Sequence, residues 1–176
     1  VARTFCLNKN FSRHKGQFIV QIIIAVLFMF AVLLGLMLGR SAQLDVLSAI
    51  GATSLASSTF TVIALPRSPV SAPYRVFGGY ALAAFVGVGW HFLARWGAGN
   101  IHLDPVVLRC IAAAAAVGTA VLLMAILDCE HPPAIGLSVG LVLEFWDDWT
   151  LLVILIAVIL LCVIKLLFGR WFVNLV

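Results

Sequence analysis

The chain has 176 residues, 64% of them hydrophobic and only 10% charged. A soluble domain carries about a quarter charged residues, so length and composition exclude a packed aqueous globule and a separate catalytic module, leaving a polytopic membrane protein. The formal net charge of +4 comes from basic residues that flank apolar spans and meet lipid headgroups; no basic helix interleaved with aromatics points to nucleic acid.

Residues 1–16, VARTFCLNKNFSRHKG, form a basic, partly polar arm. Residues 17–38 then give 22 positions without a charge, enough at ~1.5 Å each to cross ~30 Å of hydrocarbon. The run is longer than a signal-peptide core and reads as a retained anchor. Residues 51–65, GATSLASSTFTVIAL, open with glycine, threonine and serines and stop at Pro66; residues 44–50 can extend them upstream. Residues 74–96 and 106–127 are full-length spans. The stretch DCEHPPAIG, from Asp128 to Gly136, then sets two acids, a histidine and a double proline between apolar runs. Residues 132–146 stop at the pair Asp147–Asp148, and 150–168 form the last full span. The segments 51–65 and 132–146 each hold 15 residues, roughly 22 Å as a helix, which is short for a crossing.

The order is long, short, long, twice over. The fold class is an all-α helical membrane bundle of six segments, with residues 17–170 as one membrane domain. Three spans per half would invert the second half relative to the first, a 3+3 inverted repeat, and interrupted segments at matching positions point to a transporter-like site at mid-membrane. With six crossings and a cytoplasmic N-terminus, the inner side holds Arg3, Lys9, Arg13, Lys15, Arg67, Arg75, Lys165 and Arg170, against Arg40, Arg95 and Arg109 outside. A re-entrant 132–146 would move Lys165 and Arg170 outside and erase that asymmetry, so the positive-inside rule favours six crossings and both termini in the cytoplasm. Trp90, Trp96, Trp146 and Trp149 then mark the outer interface, Tyr74 and Trp171 the inner one. Small residues four apart, at Gly35/Gly39, Gly79/Ala83/Gly87 and Ala112/Ala116/Ala120, predict close helix–helix contact.

If the two short segments are helices starting inside the membrane domain, their first N–H groups have no intrahelical partner and carry partial positive charge. Pro132 and Pro133 read as a rigid helix start with His131 just before it, and Gly51, Ala52, Thr53 and Ser54 as another. Two such ends aimed at one point would hold a small anion without a buried Lys or Arg. The plainer reading is that Pro-Pro is only a stiff entrance and that Ser and Thr bond back to their own carbonyls. Arg109 and Lys165 lie near helix ends and can snorkel. Glu144 reaches an interface or lines an ion path. Asp128, Cys129, Glu130 and His131 sit too close in sequence to converge on a metal. Cys6, Cys110, Cys129 and Cys162 are scattered and read as free thiols. No GxSxG, P-loop or HExxH occurs, so neither an enzyme nor a cofactor is expected.

EHPPA at 130–134 and IGATSLASSTFTVIALPRSPVSAPYRVFGGYALAAFVGV at 50–88 resemble the HPP family of integral membrane proteins in order and spacing. The His-Pro-Pro motif is matched by His131, Pro132 and Pro133, the Gly-Ala-Ser/Thr stretch by Gly51 to Ser54, the Ala-Leu-Pro-x-Ser-Pro loop by Ala64 to Pro69, and the Gly-Gly pair by Gly78 and Gly79. The chain departs from the family at Tyr80, where a histidine is frequent, and at Ile135–Gly136–Leu137, where Gly-Ala-Thr tends to recur. The resemblance implies transport, since plastid and cyanobacterial members are associated with nitrite. The expectation is therefore a transporter or channel for a small anion in a bacterial cytoplasmic membrane, in contact with the lipid bilayer and homo-oligomeric through its small-residue faces. The alternative is a non-transporting accessory subunit of a larger membrane complex.

Overall fold

A computed structural model describes residues 14–38, 46–100, 103–143 and 148–175. It is helical, with no strand among the described residues. The helices are α1 (Lys15–Leu38), α2 (Val46–Thr59), α3 (Pro73–Asn100), α4 (Pro105–Ile126), α5 (Ile135–Leu143) and α6 (Asp148–Phe168). A π-helical turn, Phe60–Ala64, continues α2, and 3-10 turns occupy Pro69–Ser71 and Pro132–Ala134. The helices α1, α3, α4 and α6 are long and apolar enough to cross a membrane, while residues 48–64 and 132–143 form the two shorter ones. The predicted six-segment order is thus found, but the second segment starts at Val46, five residues before Gly51, because nothing in 46–50 breaks a helix. Arg3, Lys9, Arg13, Arg40, Cys6, Gly39, Glu144, Trp146 and Asp147 lie outside the described residues.

Cross-helix contacts fix the directions. Gln17 donates to the Trp171 carbonyl and Gln21 to those of Ile63 and Val173, while Lys165 donates to Pro66 and Arg75 pairs with Asp128 and Glu130. The starts of α1, α3 and α5 and the ends of α2, α4 and α6 therefore share one end, called here the motif end. At the far end, Trp149 donates to the Gly35 carbonyl and Ser48 meets Thr150. Successive helices run in alternating directions, and residues 14 and 175 lie at the same end. Lys15, Arg67, Arg75, Lys165 and Arg170 gather there, with Arg95 and Arg109 opposite, as the charge count predicts. Trp90 is half-buried and donates to Thr119 Oγ1 on α4.

The principal packed pairs are α1–α2, α1–α6, α2–α5, α2–α6, α3–α4, α3–α5, α3–α6 and α4–α5. Exchanging α1 with α4, α2 with α5 and α3 with α6 returns the same set. Small side chains permit the closest pairings, where dispersion rather than hydrophobic exclusion favours contact in lipid. Gly79, Ala83 and Gly87 are all buried on α3, and Ala112, Ala116 and Ala120 on α4. A Cβ at Gly87 would lie 2.9 Å from Ser138 Cα, so only glycine lets α3 approach α5 there. The opposite faces carry Leu27, Phe85, Leu122 and Leu166, each more than half exposed, as a hydrocarbon solvent requires.

Candidate functional site

The site is built where α4 stops and α5 begins. At the end of α4, the Cys129 N–H donates to the Met124 carbonyl and Asp128 adopts φ 50°. This is a Schellman closure with aspartate in the left-handed position usually held by glycine. The Asp128 and Glu130 carboxylates turn outward to Arg75, while Cys129 is buried against α3 at Gly78. The acids of the DCEHPP stretch thus serve the surface and its histidine serves the interior. The four side chains from Asp128 to His131 diverge, and no group of three or more His, Cys, Asp and Glu among the described residues is placed to hold a metal ion.

His131 is fully buried. Its Nδ1 lies 2.9 Å from the Val70 carbonyl oxygen and its Nε2 2.8 Å from Ser58 Oγ, which in turn lies 2.9 Å from the Tyr80 hydroxyl. The chemistry of these partners assigns every proton. A carbonyl only accepts, so Nδ1–H donates to Val70. In a neutral imidazole Nε2 then accepts, so the Ser58 hydroxyl donates to it and accepts from Tyr80. Among the described residues, the ring nitrogens of His131 meet Ser58 and Val70 and no carboxylate that would offset a buried charge. The chain Tyr80–Ser58–His131–Val70 joins α3, α2, the start of α5 and the 66–71 loop in one directional line. Gly79 makes room for it, since a Cβ there would fall 2.6 Å from His131 Cβ.

The amide ends at α5 are largely spent within the chain. Pro132 and Pro133 have no N–H, Ala134 N–H donates to the His131 carbonyl, and Ile135 N–H to that of Pro132. Pro132 is exposed and Pro133 half-buried. The predicted start at Gly51 to Ser54 is corrected outright: these residues lie inside α2, where each N–H has an intrahelical acceptor. Gly51 faces Ile154 on α6, Ala52 is half-buried, and Thr53 is exposed and donates back to Ala49 and Ile50. Ser54 alone is brought to the α5 start, since a Cβ on Gly136 would meet its Oγ at 2.5 Å. Two helix ends therefore do not converge; one helix start meets the middle of another helix.

Sequence reasoning missed Ser58, Val70 and the part played by Tyr80. Ser54 and Ser58 are four apart and share a face with Ser48 and Gly51, so a seam of small and hydroxyl residues along α2 was readable. It also took Lys165 as a snorkelling residue. Lys165 instead donates to the Pro66 carbonyl and lies 3.1 Å from Ser71 Oγ, while Ser71 donates to Pro66 and Ser68. Together with His131 it pins the 66–71 loop over the start of α5. An apolar groove of about 240 Å³ between α3, α5 and α6 reaches this cluster at Tyr80.

Residues 14–175 match the family model described as HPP, transmembrane region. No curated protein and no solved structure matches the chain.

Proposed function

As a member of the HPP family this chain is an integral membrane protein, and we propose that it carries a small inorganic anion across the bilayer along the α2–α5 seam, nitrite being the ion the resemblance implies. One observation carries the reading: hydroxyls of α2 lie buried against the interrupted start of α5, toward the motif end of an otherwise apolar bundle. Polar groups buried in a membrane domain are costly and mark solute pathways. The symmetric set of helix neighbours supports an inverted repeat, whose halves can rock about a central site.

In this reading Ser54, Ser58 and His131 are the contacts for the ion. The arrangement described is the closed state. For an anion to reach the His131 Nδ1–H, the 66–71 loop must release Val70. Gly51, Ala52, Thr53, Pro132 and Pro133 shape the helices rather than touch the ion. No bond is made or broken, so the protein is no enzyme. The small-residue faces at Gly79/Ala83/Gly87 and Ala112/Ala116/Ala120 are taken up within the bundle, so homo-oligomers form instead through exposed helix faces, and both termini face the cytoplasm of a bacterial inner membrane.

Flux into proteoliposomes of nitrite, nitrate, formate and chloride tests this. Wild type should move at least one ion faster than empty vesicles, and Ser54→Ala and His131→Ala should slow it. Equal fluxes in all four preparations would remove transport. The second reading, a non-transporting subunit of a larger complex, is favoured by the full internal pairing of His131. It expects stoichiometric partners on mild purification and no flux.

A further inference from the structure

We infer that the far end of α5 carries a pocket for an oxyanion, held by Arg95 and Arg109. A cavity of about 70 Å³ lies between the end of α3, the start of α4 and the end of α5, and His91, Arg95, Pro105, Arg109 and Val142 line it. At ~10–15 Å³ of such space for each water, the cavity has room for a few waters or one small oxyanion. Two guanidinium-bearing side chains line this one small cavity, and an anion held in it would be attracted by both.

Each arginine is placed to serve. Arg109 sits one turn into α4, near the positive end of that helix dipole, and its side chain makes no hydrogen bond or ion pair among the described residues. The carboxylate of Asp104 is turned away to the amides of Val106 and Val107, so it does not fill the space. Arg95 reaches the cavity from α3, and a guanidinium with five donors can keep another partner and still grip an oxyanion. The planar fork suits bidentate binding of such ions. His91, buried on α3 with its ring edge-on to Phe92, supplies a polar wall. A free inorganic ion and a lipid phosphate share this chemistry. That the pocket is the mouth of the anion route rests on the transport reading; the binding does not.

The test uses the full chain in detergent, followed by thermal unfolding through tryptophan fluorescence. Sodium nitrite or sodium phosphate is titrated at ionic strength fixed with gluconate. Wild type and Arg170→Gln, at the motif end, should show a saturable rise in Tm. Arg109→Gln and Arg95→Gln should need about tenfold more ion for half-saturation, the scale of one lost charged hydrogen bond. Phosphatidylglycerol titrated into delipidated protein separates the sources. Arginine-dependent saturation by the lipid alone assigns a headgroup phosphate, and by the salts a free ion. Equal half-saturation in all four proteins, or no saturation with any probe, overturns the pocket. In proteoliposomes Arg109→Gln should raise the KM for nitrite. If wild type shows no flux, transport falls while the unfolding titration still decides the pocket.

Discussion

Ser58→Ala should damage the bundle more than its single lost oxygen suggests. Ser58 is the donor to His131 Nε2 at 2.8 Å and the acceptor of the Tyr80 hydroxyl at 2.9 Å, and both partners are buried. Removing it strands two polar groups, each worth about 1–3 kcal/mol when left unsatisfied. Interhelical hydrogen bonds in membranes average only ~0.6 kcal/mol in double-mutant cycles, so the lower half of that range applies, about 2–4 kcal/mol in total. Tyr80→Phe removes the first donor in the line and leaves Ser58 still bonded to His131, at a cost of about 0.5–1.5 kcal/mol. The double variant strands only His131 Nε2, so it should be more stable than Ser58→Ala alone. Unfolding by SDS in mixed micelles, read by tryptophan fluorescence, measures all three. Additive costs, or Tyr80→Phe as the more harmful single change, would refute both the proton assignment and the directional line built on it.

Gly79→Ala should destabilise by about 1–3 kcal/mol through overpacking, since its Cβ would meet His131, whereas Gly89→Ala on the same helix meets nothing within 4 Å and should be neutral or better; thermal midpoints compare them. Lys165→Met should cost about 1–2 kcal/mol, because Ser71 still donates to the Pro66 carbonyl after the charged donor is lost. Faster tryptic cleavage after Arg67 should accompany it, and Lys165→Arg should restore part of both. Asp104→Ala should cost about 1 kcal/mol, the worth of an N-cap, and Asp104→Asn much less, as helix content by circular dichroism would report.

The apolar segments and the small-residue faces were legible because they are local: length, composition and a spacing of four carry them. The start of α2 was misread because Gly51, Thr53 and Ser54 look like a helix opening in water. In lipid a glycine inside a helix is common and serves close packing. The weakness of α5 as an anion site was legible in principle, since two prolines remove two N–H groups before any fold is considered. The partners of His131 were not. Ser58 lies 73 positions away and Val70 61, and no local spacing encodes which carbonyl a buried imidazole will find. The far-end cavity is of the same kind, since Arg95 and Arg109 belong to different helices and only their packing brings them together.

The knot at the motif end has a consequence for biogenesis. The π turn after α2 leaves carbonyls that Gln21 and the N–H of Leu175 complete, and Gln21 also holds Val173. Residues near the beginning of the domain are thus sewn to residues near its end. During synthesis α1 and α2 must wait in the bilayer with that seam open until position 175 has left the ribosome, and long-range closure of this kind is slow. Quality-control proteases would find their opening in that interval.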